Sequence, residues 1–193
     1  MTRAAALGAI AAAAGFVLFV KLNDDANSGE WTARGGGVPN ANETAHARDV
    51  AVQIYAGKTQ LEPLGPGDRL SRASALSVGV RNLGQTTAYL LLFAVDSKRV
   101  VHWIAPEYTQ PNQIPVAVPI PPTPTKQLLP TSVVFEDLAA GELRLVTLLL
   151  SAPADISKIE QMTTAELADG NFAARFPNAE VRQFSVQVEG GAN

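Results

Sequence analysis

A chain of 193 residues holds one ordinary domain with an appendage and is too short for two domains of typical size. Hydrophobic residues make up 47% and charged residues 17%, which excludes a disordered polyelectrolyte. The 15 Lys and Arg against 18 Asp and Glu leave a net charge of −3 that would not steer the chain to phosphate backbones, and the lack of cysteine removes disulfides, thiolate nucleophiles and Cys-ligated metal centres.

Residues 4–20 form an uncharged run between Arg3 and Lys21. At about 1.5 Å per residue the run reaches roughly 26 Å, and snorkelling of the two flanking cations brings it near the hydrocarbon thickness of about 30 Å. Leu7, Ile10, Phe16, Val17, Leu18, Phe19 and Val20 supply the apolar surface, at about −0.3 to −0.6 kcal/mol each for insertion. A cleavable signal peptide would place small residues at the end of the run, whereas Phe16–Val20 is its most apolar part. Residues 1–22 therefore read as a single transmembrane anchor contacting lipid. The positive-inside rule nearly ties, and the short leading tail decides for the amino terminus inside. Residues 23–45, with Gly35-Gly36-Gly37 and Pro39, have the composition of a flexible linker; the glycine triplet lacks the Lys-Ser/Thr of a phosphate loop.

From His46 to Asn193 the hydrophobic period is two. Alternation over 49–56 and 74–82 predicts two half-buried strands, separated by a turn cluster at 61–68. The unbroken apolar stretch 87–95 predicts a central strand covered on both faces, and Asp96-Ser97-Lys98 turns it into a partner over 99–104. Seven prolines crowd 111–130, and the alternation of Ile114, Val116, Val118 and Ile120 among them predicts a protected edge strand. Further strands are expected over 131–136 and 142–150. One helix over 155–168, ended by Gly170, and a last strand with Phe184, Val186 and Val188 complete the pattern. About eight short strands and one late α-helix predict a mainly β, antiparallel sandwich.

The landmarks Val52-Gln53-Ile54-Tyr55, Leu64-Gly65-Pro66-Gly67-Asp68-Arg69-Leu70, Ala88-Tyr89-Leu90-Leu91-Leu92-Phe93, Val95-Asp96, Val101-His102-Trp103-Ile104-Ala105-Pro106, Leu129-Pro130, Ala140-Gly141-Glu142 and Ser151-Ala152-Pro153 stand in a familiar order. Over residues 48–188 this order resembles an immunoglobulin-like domain of unknown function found on the extracytoplasmic side of bacterial anti-sigma-like regulators and fused to kinases. The resemblance implies an immunoglobulin-like β-sandwich facing the periplasm from the inner membrane. Regulators of that family carry a cytoplasmic zinc-binding helical module before the membrane helix, and here only Met1 to Arg3 precede the apolar run.

Chemistry-bearing patterns are sparse. His46 and His102 have no histidine four residues away, so a metal site would need mostly carboxylates, and no metal or cofactor is expected. No serine sits in a G-x-S-x-G elbow, and the pairs Asp24-Asp25 and Glu136-Asp137 fall in a linker and a turn. Trp103, Tyr108, Pro119, Pro121 and Pro122 form a candidate partner surface, because aromatic and proline side chains suit protein docking and Pro119-Ile120-Pro121-Pro122 has PxxP spacing. The plainer reading, Trp103 in the core and prolines that only block edge pairing, outweighs it. The expected function is a non-catalytic, membrane-anchored binding or scaffolding module with a protein partner. Its rivals are the sensory part of an anti-sigma-type regulator and, behind it, a carboxylate-based hydrolase.

Overall fold

The computed structural model describes residues 49–107, 115–135 and 137–190; the residues assigned above to the anchor and linker, and Tyr108, lie outside them. No helix of the described residues is long and apolar enough to cross a membrane. The described elements are, in chain order, β1 (Val50–Gly57), β2 (Glu62–Pro63), β3 (Arg69–Leu70), β4 (Ala75–Asn82), β5 (Ala88–Val95), β6 (Val101–Ala105), β7 (Val118–Ile120), β8 (Thr123–Val133), β9 (Gly141–Leu150), α1 (Ser157–Glu160), α2 (Thr164–Asp169), α3 (Phe172–Arg175) and β10 (Glu180–Val188).

The strands form two sheets. One has the order β2-β1-β4-β8; the other has the order β3-β10-β9-β5-β6, with β7 also paired to β5. Alternation explains how they share a core. Val50, Ile54, Leu76, Val78 and Val80 of the first sheet and Leu90, Leu92, Leu143, Leu145, Val186 and Val188 of the second belong to one buried cluster. The other side of the second sheet is apolar too. Leu91, Phe93, Val95, Val146 and Leu148 form a second cluster with Ile156, Ile159, Leu167, Phe172 and Phe176 of the helical segment. β5 is thus apolar at every position because one of its faces meets the first sheet and the other meets the helices.

Three expectations are corrected. The sheets are not wholly antiparallel, since β3 runs parallel to β10, with Gln187 opposite Arg69 and Val188 opposite Leu70. The segment Glu62–Leu70 accounts for this: β2 pairs at the edge of the first sheet, and after the turn at Gly67, whose φ is 82°, β3 joins the second. The single late helix is instead three short ones. Thr163, with extended backbone, accepts from the Glu166 amide while the Glu166 carboxylate accepts from the Thr163 amide, and this capping box restarts the helix after Gln161. Gly170 ends α2 at φ 70°, as its position in the sequence implied.

The strand expected over 131–136 begins earlier, at Thr123, and takes in Pro124 and Pro130. β8 tolerates them because it is an edge strand with two bulges. Between the pairs Val80↔Gln127 and Asn82↔Thr123, Arg81 alone faces Pro124, Thr125 and Lys126. Between Ser77↔Ser132 and Gly79↔Leu128, Val78 faces Leu129, Pro130 and Thr131.

Candidate functional site

β6 and β7 lie end to end along the same flank of β5. Ala105 to Val101 pair with Leu92 to Val95, and Val118 to Ile120 pair with Leu90 to Ala88. Together they make one edge of the six-stranded sheet, with no further strand beyond them among the described residues. Cross-strand partners share a face, so the pairs Phe93↔Trp103 and Tyr89↔Pro119 put Trp103, Tyr89 and Pro119 on the side of the sheet that carries the helices. Phe93 and Tyr89 are four residues apart, which separates the two pairs by about 13 Å along the strand.

Trp103 is half-buried, with its ring centroid 5.2 Å from that of Phe93, and Phe93 in turn meets the edge of Phe172 at 5.3 Å. The indole is therefore largely structural, and part of it is accessible. Tyr89 is half-buried, and Pro119, Pro121, Pro122 and Pro124 are exposed. Ile120, inside the PxxP spacing, is 1% exposed and belongs to the shared core, so Pro119-Ile120-Pro121-Pro122 is anchored at its second residue. Val116, next to β7, is 56% exposed. Of the five candidate surface residues, the edge brings Trp103 and Pro119 onto one face, sets Pro121 and Pro122 at its end, and leaves Tyr108 outside the described residues.

An open groove of about 590 Å³ is lined by residues of β1, β2 and β3 and the loops beside them. Lys58, Arg69, Glu62, Asp68 and Glu189 line it with mixed charge. The Asp68 carboxylate is already engaged by the Gly65 amide at 2.7 Å.

Asp96 was legible only as part of a turn, yet its side chain organises that turn. It is 1% exposed. Oδ1 accepts the amides of Lys98 (2.9 Å) and Val100 (2.8 Å), and Oδ2 lies 3.2 Å from His102 Nε2. Burial opposes its charge, but the Val100 amide, His102 and the Lys98 amide outweigh it and hold the carboxyl below the usual carboxylate range. This lets Arg99 adopt φ 68° between the strands. His102, packed against Phe135 at 5.1 Å between ring centroids, serves this turn. Among the described residues no group of three or more His, Asp or Glu is placed to hold a metal ion.

No family model matches the chain, and no curated protein matches it.

Proposed function

We propose that the chain is a non-catalytic, membrane-anchored module of immunoglobulin-like fold that binds or scaffolds a protein partner in the bacterial cell envelope. The strand order supports the fold. β1-β4-β8 against β10-β9-β5-β6 follows the A-B-E and G-F-C-C′ order of immunoglobulin sandwiches, with the helical segment inserted between the last two strands. The apolar run at residues 4–20 supports the anchor, and the resemblance described above supports the periplasmic side.

The observation that carries the binding reading is the register of the β6/β7 edge, which aligns Trp103, Tyr89 and Pro119 on one face beside exposed Pro121 and Pro122. Rigid aromatic and proline side chains lose little conformational entropy on docking, and a half-buried Trp held by Phe93 is pre-organised for contact. The test is photo-crosslinking in intact membranes from a reactive residue placed at position 119 or 122, with position 72 as an exposed control. The same partner captured from 119 and 122 but not from 72, with severalfold lower yield in Trp103→Ala, is the expected result. Equal capture from all three positions would remove the assignment of this edge.

A further inference from the structure

We infer that the outward face of the four-stranded sheet is a second docking surface, one that takes an extended acidic segment of a protein partner at Arg81 and Lys126. Tyr55, on this face, is 5% exposed, and its hydroxyl is buried with no hydrogen-bond partner. Its ring lies across Gly79: a Cβ there would stand 3.0 Å from Tyr55 Cε2 and 3.1 Å from Lys126 Cε. The Lys126 ammonium sits over the same ring, 4.7 Å from its centroid. Lys126 stands two residues from Leu128, the cross-strand partner of Gly79, and therefore shares this face with it.

Arg81 and Lys126 are both exposed, and neither joins an ion pair among the described residues. None of the residues paired with Arg81, Gly79 or Ser77 across the sheet is acidic. A chain of net charge −3 therefore carries here a face with two exposed cations outside any ion pair among the described residues, and a phenol in need of an acceptor. Spacing selects the occupant. Arg81 is two residues along β4 from Gly79, about 7 Å, which is also the distance between alternate side chains of an extended peptide. Carboxylates at alternate positions would meet Arg81 and Lys126 together, whereas a single small anion engages one of them. A carboxylate that draws the ammonium off the ring also gives the Tyr55 hydroxyl its acceptor.

The test uses the full chain in detergent micelles and fluorescently labelled peptides with Glu or with Lys at alternate positions, followed by anisotropy at low and physiological salt. The structure leads us to expect binding of the Glu peptide alone, about tenfold weaker in Arg81→Gln/Lys126→Gln and severalfold weaker in Tyr55→Phe. Arg69→Gln, in the polar groove, and Arg72→Gln, at an exposed turn, should leave it unchanged, and unchanged thermal melting would show each variant folded. Equal binding of both peptides, equal loss in Arg69→Gln, or full displacement by inorganic phosphate at matched ionic strength would overturn the assignment.

Discussion

At Asp96 a single buried carboxylate holds a hairpin together, and its charge state should be visible in stability. Its pKa lies below the ordinary 3.8, so its contribution is complete above that pH and is lost as pH falls through the lowered folded value. Asp96→Ala strips two amides and His102 of their acceptor and is expected to cost about 1–3 kcal/mol in urea unfolding at neutral pH, with Asp96→Asn milder because one oxygen remains. Glu166 offers a second check in open solvent. The Thr163 amide, Arg175 and the Thr163 hydroxyl bring its pKa down from 4.5 to about 2. Its stabilisation is therefore present above pH 4.5 and disappears as pH falls through about 2. An NMR titration should find that midpoint in the native chain and a higher one in Arg175→Ala. Neither carboxylate announced itself in the sequence as more than a turn or helix residue, because backbone amides, which residue types do not record, are among the partners that define each.

Among the elements, β5 and the helical segment were read with unequal success for one physical reason. The apolar run of β5 demanded cover on both faces, and both faces are covered. Ile156, Ile159, Met162 and Leu167 lie in one buried cluster, but hydrophobic period records only what must be buried. Continuity of the backbone was decided locally by Thr163 and Glu166, and Phe172 then entered the same cluster from a third helical turn. Phe172 is fully buried and meets Phe93 edge-on. Phe172→Ala should accordingly cost about 3–5 kcal/mol and lower the thermal midpoint, while Arg182, on the neighbouring strand, lies outside that cluster. α2 is further tied to β9 by Arg144, which donates to the carbonyls of Leu167 and Ala168 at 3.3 Å. Arg144→Ala should raise amide exchange in α2 and leave β9 protected, a difference readable by hydrogen exchange.

For the molecule as a whole, the sequence disclosed two β layers because their alternation is local, and it concealed the β3–β10 pairing because two residues opposite the far end of the chain leave no periodic trace. The edge at Trp103 and Pro119 was half legible: residue types pointed to a surface, but only register shows that the two share a face. The Tyr55 and Lys126 contact was invisible, since it depends on which strands pair and in what register. What ties the whole chain to its proposed setting is the run at residues 4–20, whose apolar side chains favour insertion by roughly −2 to −4 kcal/mol. An arginine near the bilayer centre costs about +2.5 to +3.5 kcal/mol, so Ile10→Arg/Ala13→Arg reverses the sign of that balance. The native chain is expected to stay with membranes through alkaline carbonate extraction and the double variant to leave them. Because both described core clusters draw only on residues between Val50 and Val188, the released variant should keep the same β-rich far-UV spectrum and melting transition. A native chain released by carbonate would end the anchored reading while leaving the fold intact.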